Sequence, residues 1–139
     1  MNLKPYSSTF LALGGIFLIG IGLYFIVLRP ALLPEDLRYI GTTETSIHNH
    51  FPRLANWLSK VFWVMGGYIF TTELLIFYVA RTGFTQNNKG AFLLALISGI
   101  TSLGLMVIVN FIINSDFKWV LFAFILVWLI ALGFYLLKK

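Results

Sequence analysis

One acid, Glu73, stands inside an otherwise apolar run, KVFWVMGGYIFTTELLIFYVAR, that extends from Lys60 to Arg81. A helix of about 20 residues crosses the hydrocarbon of a bilayer, and this run is long enough to do so. A carboxyl group at that depth is costly unless it faces protein or trapped water. Glu73 lies eight residues from the Arg81 end, which is about 12 Å along a helix axis at the usual rise. In a second apolar run, Ser98 lies eight residues from Gly90, with Thr101 and Ser102 slightly further on. Glu73, Ser98, Thr101 and Ser102 therefore form the candidate intramembrane polar site. Two chemistries suit such a group. One is a proton- or cation-responsive centre, and the other is a hydrogen-bonded acid that joins helices.

The remaining chemistry-bearing residues point to little. His48 and His50, with Glu44 nearby, fall in a polar stretch, and a His-x-His pair without a third firm ligand does not make a metal site. They read as solvated loop residues, and no metal is assigned. No histidine lies in any apolar run, so paired-histidine haem ligation between helices is excluded. There is no Gly-rich phosphate loop, Ser-His-Asp set or zinc-protease motif. No catalytic residue and no cofactor follow, and an enzyme is the least favoured class.

Composition sets the frame in which Glu73 must sit. The chain has 139 residues, 59% hydrophobic and 11% charged, where a soluble domain carries about 25% charged residues. So few charges do not cover a water-facing surface. There is no cysteine, which removes disulfides and thiolate metal sites. The net charge of +5 is spread over short connections. It suits membrane orientation and lipid headgroups rather than nucleic acid, since no basic run exists.

The elements follow from the apolar runs. Four spans are expected, at about residues 8–28, 61–81, 90–113 and 118–137, with a structured loop over 29–60. Together they make a single all-α integral membrane domain, an antiparallel four-helix bundle with short amphipathic helices in its long first loop. Small residues recur at helical spacing on the first three spans. Gly15 and Gly22, then Gly66 and Ala80, then Ala91 and Ala95, mark the faces on which helices approach closely. Gly66, Glu73 and Ala80 lie seven apart, which puts the acid on the packed face. The fourth span is bulky and reads as the helix with most lipid contact.

In the long loop, Pro34 suits a first helical position, Glu35 and Asp36 suit the positive helix end, and Gly41 suits the stop. A short surface helix is expected there, with Glu35 and Arg38 close enough to pair. Residues 41–49 read as loop. A second amphipathic piece starts at Pro52 and leads into the second span, with a bend near Ser59 and Lys60.

Four spans put both termini on one side, with Lys4, Arg81, Lys89, Lys138 and Lys139. Arg29, Arg38, Arg53, Lys60 and Lys118 lie on the other. The basic residues tie, and the loop acids Glu35, Asp36, Glu44 and Asp116 all fall on the second side. That asymmetry favours cytoplasmic termini, with the lysine pair Lys138 and Lys139 ending the chain at the headgroups.

The stretch RPALLPEDLRYIG followed by FWVMGGYIF resembles a family of small four-span bacterial membrane proteins with no assigned activity. The resemblance implies that architecture and a bacterial inner membrane location, and no catalytic residues. The favoured function is that of an interaction or assembly protein, packing through its small-residue faces against lipid, a second copy or another membrane protein. The alternatives are a small proton- or cation-coupled transporter or channel centred on Glu73, and a membrane enzyme acting on a lipid-soluble substrate.

Overall fold

The computed structural model describes residues 4–137, with the side chains from residue 6 onward. Lys138 and Lys139, and the side chain of Lys4, lie outside the described residues, and with them the expectation of a headgroup-level lysine pair. The chain is all-α. Its helices are α1 (Lys4–Val27), α2 (Pro34–Ile40), α3 (Glu44–His50), α4 (Leu54–Arg81), α5 (Lys89–Ser98), α6 (Leu105–Ile112) and α7 (Lys118–Leu136), with a π-helical segment, Gly99–Gly104, joining α5 to α6. Four continuous helical stretches are long and apolar enough to cross a membrane: Tyr6–Val27, Leu54–Arg81, Lys89–Ile112 and Lys118–Leu136. They define a multi-pass membrane protein built as a helical bundle.

Helix α1 is the centre of the bundle and packs against both α4 and α7. Its seam with α4 is closed by glycine. A Cβ on Gly22 would lie 2.7 Å from the Phe70 nitrogen, and one on Gly66 would lie 2.8 Å from the Gly22 carbonyl oxygen. The two backbones are therefore in direct contact, as small residues permit in lipid. Gly15 lies against the backbone of Glu73 and Phe77 in the same seam, and Ser8 Oγ donates to the Ala80 carbonyl at 2.5 Å. Ala91 and Ala95 are buried on the face that α5 turns inward.

Trp128 of α7 is 1% exposed and fills the middle of the bundle. It is held between Gly14 and Gly99, and its Nε1 donates to the Ala95 carbonyl at 3.0 Å. The fourth span is thus not the most lipid-exposed one. Its apolar window is 22% buried, against 17% for that of α4 and 33% for that of α1. Bulk alone misled the reading of this span, because two facing glycines make room for its largest side chain.

The long loop departs from expectation in one place. Residues 44–50 are helical, started by Thr43, whose hydroxyl accepts from the Ser46 nitrogen at 3.2 Å. A Thr/Ser-rich segment supplies its own cap as readily as it supplies a loop. The piece after Pro52 leads straight into the second span, as expected, and Leu54–Arg81 is one helix without a break at Ser59 and Lys60. At its outer end, Lys60 Nζ sits 3.7 Å from the centre of the Trp63 ring, an aromatic-basic pair suited to the headgroup level. Helix α2 begins at Pro34 and ends at Gly41, whose φ of +74° is the left-handed stop that glycine adopts freely.

Candidate functional site: an intramembrane acid beneath a capped cavity

Glu73 is 1% exposed, on the same face of α4 as the buried Gly66 and Ala80. Its Oε1 lies 3.4 Å from Ser102 Oγ, a long hydrogen bond, and its Oε2 is buried without a partner. Ser102 Oγ also donates to the Ser98 carbonyl at 2.8 Å, and Ser98 Oγ is buried without a partner. A serine hydroxyl has one proton. With that proton on the nearer Ser98 carbonyl, the contact with Glu73 is the weaker of the two.

Two of the four candidate residues, Glu73 and Ser102, thus meet, and Ser98 is tied to them only through its backbone carbonyl. Thr101 does not join them: it is exposed, and its Oγ1 donates to its own helix at Ile97, 2.9 Å away. One residue along, its side chain leaves the helix on a different face from that of Ser102. The π-helical segment spans both hydroxyls, and such wide turns re-aim side chains within otherwise regular helices. Sequence reasoning missed it. The signal was Gly99 and Gly104, five apart and bracketing the hydroxyls, because a Cβ on Gly99 would lie 2.5 Å from Trp128 Nε1.

Ser102 is also the innermost polar residue lining a cavity of about 750 Å³. Phe62, Met65 and Ile69 of α4 face Leu105, Met106 and Val109 of the third span across it, and Phe25 and Phe124 close two further walls. The cavity exists because α4 makes its main backbone contacts with the third span along α5, not along α6. The two helices separate beyond Glu73, toward the long-loop side.

The long loop roofs this space. Leu33, Glu35 and Asp36 line its outer end together with Arg29 and Ser115. Arg29 bonds Asp36 at 3.2 Å, with its side chain only 9% exposed. Its guanidinium lies 3.5 Å from the centre of the Phe62 ring and 5.2 Å from that of Phe25. Burial pulls the Arg29 pKa below its usual value, and the charge of Asp36 opposes that fall. Asp36 also accepts from the Leu33 nitrogen at 2.9 Å, which fixes the start of α2.

Glu35, 2% exposed, accepts from Ser115 Oγ at 3.2 Å. Arg38 bonds Asp116 at 2.8 Å on the surface, which holds its pKa above the usual value. Glu35 and Arg38 therefore do not pair with each other. Both reach instead to the turn before α7, whose position relative to α2 is a tertiary matter. Glu35, Asp36 and Arg38 thus tie α2, bounded by Pro34 and Gly41, to the rest of the chain. The contributions of Arg29 and Ser115 were not foreseen.

The histidines stand apart from the site. His48 and His50 are exposed on α3, and His50 Nδ1 lies 2.8 Å from the Ser46 carbonyl. Among the described residues no group of three His, Cys, Asp or Glu is placed to hold a metal ion. Comparison with protein-family models, with curated proteins and with solved structures finds no match to this chain.

Proposed function

We propose that the protein is a small transporter-class membrane protein, in which the loop-capped cavity takes up an amphiphilic small molecule and Glu73 is the proton- or cation-responsive group at its inner end. The observation that carries this reading is the continuity from roof to acid. One cavity runs from Arg29, Glu35 and Asp36 down to Ser102, and Ser102 touches a carboxyl group with an oxygen left unpartnered. Cavities of 300–1,000 Å³, mostly apolar with a few convergent polar groups, are the usual form of a small-molecule site. An intramembrane ionisable residue is a functional site by default.

The small-residue faces speak less for an assembly role. Gly22 and Gly66 are consumed against each other, and Gly14 and Gly99 against Trp128, all within one chain. We place the protein, as part of the same proposal, in a bacterial inner membrane with cytoplasmic termini, like the four-span family whose loop and second span it resembles. An enzyme is less favoured, since the roof carboxylates are already bonded within the chain.

The absence of native cysteine makes the test clean. Ser102→Cys is introduced into the full chain, alongside Ala95→Cys at a packed position. A small water-soluble thiosulfonate is applied to sealed vesicles of each orientation. The reading expects Ser102→Cys to label at least about tenfold faster than Ala95→Cys from the long-loop side, as an aqueous path demands. Equal inertness of both positions from either side would remove the transporter reading.

A further inference from the structure

We infer that the molecule taken up in this cavity is an organic monocation with an apolar body, its charge seated at the inner end beside Glu73 and Ser102. The inference rests on the transporter reading and names the ligand class of that same site. It follows from the charged groups around the cavity.

Arg29 is the single cation among the lining residues, and it is already committed to Asp36 and to the faces of Phe62 and Phe25. An anionic ligand would find no free positive charge there. The acids outnumber it. Glu35 and Asp36 line the outer end, and Glu73 lies behind Ser102 at the inner end. Glu35 and Asp36 are bonded within the chain, so their charges set the local field without needing a ligand. Glu73 Oε2 is different, being a buried acceptor with no donor. A buried carboxyl oxygen without a partner is costly, and a ligand that brings a positive charge or an N–H to it removes that cost.

The walls suit the rest of such a ligand. The rings of Phe25, Phe62 and Phe124 line the walls, and aromatic rings attract cations once water is excluded, as Arg29 over Phe62 shows. A neutral amphiphile would be served by the walls alone, and it would leave Glu73 without a role. A cation arriving at Glu73 also displaces the carboxyl proton, which couples uptake of one charge to release of another with charge balanced.

The experiment uses two ions of nearly equal size and opposite charge, tetraphenylphosphonium and tetraphenylborate. Binding of each to the purified full chain in a neutral maltoside detergent is measured by equilibrium dialysis, with empty micelles subtracted. Saturable tetraphenylphosphonium binding is expected, at least about tenfold tighter than that of tetraphenylborate, and weakened at least about tenfold by Glu73→Gln. Proton release on binding, read with a pH dye in weak buffer, is expected for the wild type and not for Glu73→Gln.

Saturable binding that favours tetraphenylborate, or ignores charge, overturns the cation inference and leaves the cavity reading standing. Absence of saturable binding by either ion, with an inert cysteine at position 102, overturns both. The comparison of the two ions on the wild type needs no variant to fold.

Discussion

Helix α4 packs against two other spans, and it meets them in opposite ways. Against α1 it is closed backbone to backbone, through Gly22, Gly66 and Gly15. Against the third span it is near only along α5, and beyond Glu73 the two part around a cavity of about 750 Å³. The difference lies in side-chain size. In lipid there is no hydrophobic force between helices, so close approach comes only where small residues allow dense packing and hydrogen bonds. Phe62, Met65 and Ile69 on one side, and Leu105, Met106 and Val109 on the other, hold the backbones apart. The tight seam fixes α4 in place, and the loose one leaves space beside the acid. That space is bordered at its long-loop end by polar ties from α2 rather than by packing.

The sharpest way to break this contrast is to make the closed seam bulky. Gly66→Val places new atoms against the Gly22 carbonyl oxygen and the Phe25 Cβ, each 2.8 Å from the added Cβ. The backbone atom yields least, so we expect destabilisation of about 3 kcal/mol or more, at the upper end for overpacking. Thermal unfolding in detergent reads it, with loss of the monomeric peak on size exclusion.

A smaller effect is expected at the roof. Glu35→Ala removes the acceptor of Ser115 Oγ from a buried position. It should lower stability by about 1–3 kcal/mol. It should also speed thiosulfonate labelling of a cysteine at position 102. Unchanged labelling would mean that the roof is not what limits access.

The smallest effect is expected in the loose seam itself. Val109→Leu adds one methylene to a cavity wall that is half-exposed. Stability should stay within about 0.5 kcal/mol of wild type, as at sites without packing constraint. A cost similar to that of Gly66→Val would show that the two seams do not differ as described.

Much of the bundle is legible in the residues alone. Apolar runs of membrane length, Pro34 at a helix start and Gly41 at a helix stop each act locally, so their meaning survives without a fold. The spacing of Gly66, Glu73 and Ala80 put the acid on the packed face, because helical periodicity is itself local. Where local signals competed, the reading failed. Thr43 capped a helix where a loop was expected, and Arg38 turned to Asp116 rather than to Glu35.

By itself, then, the order of residues determined that this chain spans a membrane as helices and that Glu73 is turned toward its neighbours. Backbone groups in hydrocarbon must be bonded within their own segment, and a lone carboxyl is too costly to face lipid. Only the tertiary structure decided which hydroxyls meet the acid, that Trp128 lies inside the bundle, and that α2 closes a cavity above Ser102. Those outcomes depend on which helices stand side by side and how closely. That in turn rests on facing pairs such as Gly22 with Gly66 and Gly99 with Trp128, whose members lie far apart along the chain and meet only when it folds.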